Sequence, residues 1–187
     1  MTNLVLETIK SRRSHRAFTP DHVKQEELAA VIEAGLYAPS AHNHQSWHFT
    51  VIQNPELIAQ LNEAAKDILK AHKSEEMRKF GQNEQLHIFY HAPVVILVSG
   101  ESNAMMPETD CAAATQNMLL AAESLGLGSC WIGFARFPFL GERKEEFLQK
   151  LQIPAGYTPY YAVVIGRTPT EKKESPERRT GTVTYLN

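Results

Sequence analysis

Two unbroken apolar runs, Pro93-Val94-Val95-Ile96-Leu97-Val98 and Tyr160-Tyr161-Ala162-Val163-Val164-Ile165, constrain the fold of this chain more than any other feature. A strand with one wet face alternates apolar and polar residues, whereas a run without alternation needs cover on both faces. Both runs therefore predict inner strands of a central sheet with helices on either side, an α/β (α+β) arrangement. Residues 3–11 read as a short helix with Leu4, Val5 and Ile9 facing inward, and 24–37 as a second with Leu28, Val31, Ile32 and Gly35 at helical spacing. Pro39 disfavours helical geometry at Ala38 and ends it there. Trp47 to Ile52 alternates as a strand does, after which Asn54 reads as an N-cap and Pro55 as the first residue of a helix. An alanine-rich helix is expected over 108–125, closed by Gly126 in a left-handed cap, and another over 139–151.

With 187 residues the chain is read as one domain, long enough to bury roughly 70% of the surface it exposes when unfolded. Residues 71–91 are charged and glycine-interrupted, which suits a lid or a partner contact. Residues 167–187 read as an extended arm too polar for a core of its own. Its tip, Thr182-Val183-Thr184-Tyr185, alternates like a strand and is expected to complete a sheet edge, with exchange between chains favoured by its reach.

Hydrophobic residues make up 43% of the chain, charged residues 21%, and the formal net charge is −2. That balance gives no general pull toward nucleic acid or anionic lipid, and no apolar stretch approaches membrane-spanning length. The N-terminus lacks the basic leader and apolar run of a signal peptide, so a cytoplasmic protein is expected. Cys111 and Cys130 are not in CxxC spacing, and nothing in the sequence supports a disulfide between them. Cys111 reads as a small apolar helix residue. Cys130 reads as part of a glycine-bounded turn, where its reactivity depends on an exposure that the sequence does not give.

The polar chemistry is concentrated in separated segments. Arg12-Arg13-Ser14-His15-Arg16 places three guanidinium groups and a hydroxyl where the first helix runs out. Cationic forks of this kind suit a phosphate, although a solvated patch after a helix C-terminus has the same composition. Ala38-Pro39-Ser40-Ala41-His42-Asn43-His44-Gln45-Ser46-Trp47 is a kinked loop whose amides suit the edge of a planar heterocycle. Gly126-Leu127-Gly128-Ser129-Cys130-Trp131 begins like a dinucleotide fingerprint but has tryptophan at the third glycine and follows a helix, not a strand. No phosphate-binding P-loop occurs either. His42, His44 and His48 cluster, and His87 and His91 are four apart, so a histidine-ligated metal hydrolase stands as an alternative. Neither group carries the acidic residue that an HExxH site needs.

In order along the chain, RRSxRxF, APSxxNxQxW, the apolar strand near Ser99, QNMLLAAESLGLGSCWIG, VVIGRTP and the arginine-bearing tail resemble the nitroreductase family of FMN-dependent oxidoreductases. The resemblance implies a mostly antiparallel or mixed sheet and a homodimer with an exchanged C-terminal strand and two interfacial sites. By this resemblance Arg12 and Ser14 hold the FMN phosphate and ribityl chain, with Arg13 nearby and Arg16 toward the N1/O2 side of the ring. Pro39, Ser40, Asn43 and Gln45 reach the cofactor from the neighbouring subunit. Trp131, Ile132 and Gly133 pass beside the ring, and Arg178 or Arg179 closes on the phosphate. Ser46 departs from the family's usual proline, which is expected to loosen the loop slightly. The implied activity is ping-pong hydride transfer from NAD(P)H through flavin to an electron-poor small molecule, with no protein side chain as catalyst. A non-catalytic flavin carrier is the second alternative.

Overall fold

The computed structural model describes residues 3–169 and 174–186. Its helices are α1 (Leu4–Ser11), α2 (Gln25–Leu36), α3 (Pro55–Lys70), α4 (Glu75–Gln82), α5 (Pro107–Ser124) and α6 (Lys144–Lys150). Its strands are β1 (Trp47–Ile52), β2 (Val94–Glu101), β3 (Gly128–Ile132) and β4 (Tyr157–Gly166), in the antiparallel order β1-β2-β4-β3. The two apolar runs are the two inner strands, as their lack of alternation requires. Val95 and Leu97 of β2, with Ala162 and Val164 of β4, face a core built from α3, Phe89 and Phe147. Val94, Ile96 and Val98, with Val163 and Ile165, face a second core built from α2 and α5. Each of these Val, Leu, Ile and Phe side chains contributes on the order of 1.5–3 kcal/mol by leaving water.

Local chemistry sets the helix ends. Asn54 accepts hydrogen bonds from the Glu56 and Leu57 amides at 2.9 and 3.1 Å, with Pro55 at the first helical position. Gly126 follows α5 at φ 71°, the left-handed geometry that lets the chain reverse into β3.

Several expectations need correction. Leu4, Val5 and Ile9 do not face a core: they are 76%, 65% and 48% exposed, because a helix this short lies against α5 and leaves its apolar side uncovered. The helix expected over 139–151 is a 3-10 stretch, Gly133–Leu140, followed by the shorter α6. Pro138 lacks an amide donor, and Gly141 is extended, which together interrupt any continuous helix. Cys130 lies inside β3 rather than in a turn, since its strand exists through pairing with β4. The segment 71–91 contains α4, packed on α3, and its end is anchored by buried Ile88 and Phe89. Within the single chain residues 182–185 pair with no strand and the described tail is exposed, so a sheet edge for them, if they pair, belongs to a second chain. Among the described residues no helix is long and apolar enough to cross a membrane.

Candidate active site

Arg12 ends α1 with extended backbone, φ −55° and ψ 134°, and the chain then runs beside the outer edge of β3. Ser14 forms an isolated parallel bridge with Ser129, and the His15 amide donates to the Ser129 carbonyl at 2.9 Å. The segment behaves as a short added strand. Alternate residues of a strand share a face, so Arg12, Ser14 and Arg16 fall together and Arg13 and His15 fall opposite. Arg13 indeed turns back, its Nη1 donating to the Lys10 and Arg12 carbonyls at 2.7 Å each, which satisfies the C-terminal end of α1. The guanidinium of Arg16 stands 5.9 Å from the Tyr90 ring centroid.

Cys130 marks where these groups meet. Burial pushes its thiol upward, while the charges of Arg16 and Arg12 and a hydrogen bond with Ser14 act in the opposite direction. Burial dominates, so the thiol of Cys130, which is 3% exposed, is held toward its protonated form. Cys111 is likewise buried, its thiol pushed up to about 12 chiefly by burial. Both cysteines are free.

Trp131 lies half-buried on β3, edge-on to Tyr161 at 4.8 Å between ring centroids. Ile132 sends its side chain into the α3 core, leaving only its backbone to line a site. Gly133 is exposed, and a Cβ built there meets nothing within 4 Å, so the end of β3 opens onto free space. Two cations, a hydroxyl and an open backbone edge suit an anionic, planar ligand such as a flavin mononucleotide.

The amide loop lies elsewhere in the chain. It precedes β1, the opposite edge strand, so about three strand spacings, or roughly 14 Å, separate it from β3. Pro39, Asn43 and Gln45 are exposed and Ser40 is half-buried. The Ser40 hydroxyl accepts from the Gln45 amide at 2.9 Å, and Gln45 Nε2 donates to Asn43 Oδ1 at 3.3 Å. Ser46, expected to loosen the loop, instead donates its hydroxyl to Asp110 Oδ2 at 2.8 Å in a buried bond. Arg178 and Arg179 are exposed on the tail, with Arg178 donating to Ser175 at 2.8 Å. Within one chain the structure gathers Arg12, Ser14 and Arg16 beside residues 131–133, and it sets Pro39, Ser40, Asn43 and Gln45 at the opposite edge of the sheet and Arg178 and Arg179 on the exposed tail.

Two polar residues escaped the sequence reading. Asp110 is 3% exposed in the first turn of α5, and Lys66 is 7% exposed on the core face of α3. A signal existed for Lys66, a charge falling among Ile58, Leu61, Ala65 and Leu69 on the buried stripe. His22, His87 and His91 line a cavity of about 740 Å³ between α3 and the turn before β2. However, among the described residues no three His, Cys, Asp or Glu side chains are grouped to hold a metal. His87 Nδ1 is occupied, accepting from the Phe89 and His91 amides at 3.2 and 3.4 Å.

The model of the Nitroreductase family matches residues 9–167, which takes in every element from the end of α1 to β4. This chain belongs to the nitroreductase family. A nitroreductase from Bacteroides fragilis, solved with bound FMN, superposes with a TM-score of 0.91 at 36% identity, covering 100% of both chains. A relative from Archaeoglobus fulgidus, named "Putative NADH dehydrogenase/NAD(P)H nitroreductase", is 31% identical over 172 residues, spanning 89% of this chain and 87% of its own. An FMN reductase [NAD(P)H] of Bacillus subtilis is 27% identical over 197 residues, spanning 99% of this chain and 76% of its own. The antiparallel sheet flanked by helices is thus the nitroreductase fold.

Proposed function

We propose that this nitroreductase is an FMN-dependent oxidoreductase that works as a cytoplasmic homodimer and moves hydride from NAD(P)H to an electron-poor small molecule. The observation that carries it is the shared face of Arg12, Ser14 and Arg16 against β3, beside the open backbone at Gly133. Arg12 and Ser14 fit a phosphate, and Arg16 supplies positive charge for the ring edge, where reduction places negative charge. FMN, when bound, supplies the two-electron relay, accepting hydride from NAD(P)H and passing it to a nitroaromatic, quinone or activated alkene in two half-reactions. The protein's part is to hold the phosphate, stabilise the reduced ring through Arg16, and present one face to donor and acceptor in turn. The cytoplasmic assignment rests on the nicotinamide donor.

Dimerisation is supported by the uncovered apolar surface. Leu4, Val5 and Tyr37 stand exposed around a cavity of about 370 Å³ between α1, α2 and α5. A second copy there would also let the amide loop, and the arginines of the tail, reach a site that one chain leaves incomplete.

Anaerobic reduction tests the reading. Reconstituted protein is expected to bind FMN, lose its yellow colour on adding NADH or NADPH, and regain it with a nitroaromatic or quinone. Failure to bind FMN would end the proposal. Bound flavin that no nicotinamide bleaches would make the chain a flavin carrier instead.

A further inference from the structure

We propose that Asp110 is a positioning residue for the amide loop, one buried carboxylate fixing both ends of residues 41–46. The inference rests on the FMN-site reading for its functional consequence, and on the geometry alone for the clamp itself. Asp110 Oδ1 accepts from the Ala41 amide at 2.9 Å, and Oδ2 accepts from the Ser46 hydroxyl at 2.8 Å. The carboxylate is 3% exposed, and no cation pairs with it among the described residues. Its two oxygens are therefore committed to this loop.

The loop needs such a hold. His42, Asn43 and Gln45 have φ of 51°, 55° and 48°, left-handed geometry that non-glycine residues adopt only when their surroundings impose it. His42, Asn43 and Gln45 are exposed, so little packing restrains them. The bonds inside the loop run from the Asn43 amide to the Ser40 carbonyl at 3.0 Å, the His44 amide to the Ala41 carbonyl at 3.1 Å, the Gln45 amide to the Ser40 hydroxyl at 2.9 Å and Gln45 Nε2 to Asn43 Oδ1 at 3.3 Å. They shape the turn but do not tie it to the body of the protein. That tie comes from Asp110, together with the Glu101 amide donating to the Ser46 carbonyl at 2.8 Å. Where the family's usual proline would stiffen the chain by its ring, Ser46 does so through its hydroxyl and α5. Asp110 touches no ligand itself; it sets where Asn43 and Gln45 point.

Four full-length variants test the clamp: Asp110→Ala, Asp110→Asn, Ser46→Ala, and Asp110→Asn with Ser46→Ala. Hydrogen exchange at the Ala41 amide and FMN binding by fluorescence titration are read in each. In Asp110→Ala, Ala41 should exchange at least about tenfold faster while the α5 amides of Thr115 to Leu119 keep their rates. FMN affinity should fall by about tenfold or more, the loss expected for hydrogen bonds to a charged group. Ser46→Ala should lose about threefold. Asp110→Asn should retain most of the affinity, since its oxygen still accepts from Ala41 and the Ser46 hydroxyl can accept from its amide. The double variant should lose that rescue, because the buried amide then faces a methyl group.

Unchanged Ala41 exchange and FMN affinity in Asp110→Ala would overturn the proposal. So would equal acceleration throughout α5, which marks a general structural role. If Asp110→Ala does not fold, the contrast between Asp110→Asn and the double variant decides between clamp and no clamp: equal affinities in those two would overturn it. Wild-type protein that binds no FMN would remove the flavin reading, and the exchange data would still decide the clamp.

Discussion

Ser14 and Ser129, distant in sequence, pair as an isolated parallel bridge, and this contact lays a charged segment along the edge of β3, where the FMN site is proposed. Because the segment is extended, its residues are sorted by alternation, which separates arginines that composition alone makes equivalent.

Arg12 and Arg13 should accordingly differ. Arg12→Ala is expected to remove a charge-assisted phosphate contact worth roughly 1.5–3 kcal/mol, weakening FMN binding about 10- to 150-fold. Arg13→Ala should change FMN affinity far less, since its guanidinium serves the Lys10 and Arg12 carbonyls. Flavin titration of both variants checks the contrast. Equal losses would mean that the whole patch acts through net charge.

The docking of α4 gives a stability prediction. A Cβ at Gly81 would lie 2.5 Å from the Lys70 amide nitrogen and 2.9 Å from the Lys66 carbonyl oxygen. Those are backbone atoms of α3, which no rotamer change can move aside. Gly81→Ala should therefore cost about 1–3 kcal/mol and shift α4 off α3. Urea denaturation measures the loss, and a wild-type midpoint would show that the two helices separate without cost.

What was readable from sequence follows from range. The β2 and β4 runs and the Asn54–Pro55 start declare themselves through near neighbours, and a central sheet covered by helices followed from them, while its antiparallel order was implied by the family resemblance. β3 does not, because Gly128 to Ile132 is short and becomes a strand only by pairing with β4. The apolar side of α1 misled for a related reason: among the described residues of one chain nothing covers it. Asp110 falls in a helix's first turn, where the dipole favours an acid, so nothing local marks it, and its bonds to Ala41 and Ser46 join residues far apart in sequence. The cationic segment was legible as chemistry. Its sorting into Arg12 and Arg16 on one side and Arg13 on the other required the bridge to Ser129.

His87 predicts a pH dependence. Burial, then the neighbouring charges of His91 and Lys66, lower its pKa from 6.5 to about 4. In the unfolded chain it protonates near 6.5, so between those values the unfolded state holds more protons. Its contribution is present in full above 6.5 and is lost as pH falls toward 4. A shift of this size, discounted for partial exposure, amounts to about 1–2 kcal/mol. His87→Asn keeps an acceptor for the Phe89 and His91 amides but does not titrate, so it should flatten the slope. Denaturation midpoints of both proteins across this range test it, and parallel pH profiles would refute it.

Mixed dimers test whether the site is shared. The sheet order sets the Arg12 face beside β3 and the Asn43 loop before β1, on opposite edges of one chain. If each site combines one edge of one chain with the loop of the other, Arg12→Ala paired with Asn43→Ala sorts the defects unevenly. One site then carries both substitutions and the other carries neither, so the mixed dimer should bind one flavin with wild-type affinity. If each site lay within a single chain, every site would carry one defect and no wild-type site would remain. Titrating FMN into tagged, purified mixed dimers distinguishes the two, because the shared arrangement gives a tight phase of half the total amplitude and the unshared one gives none.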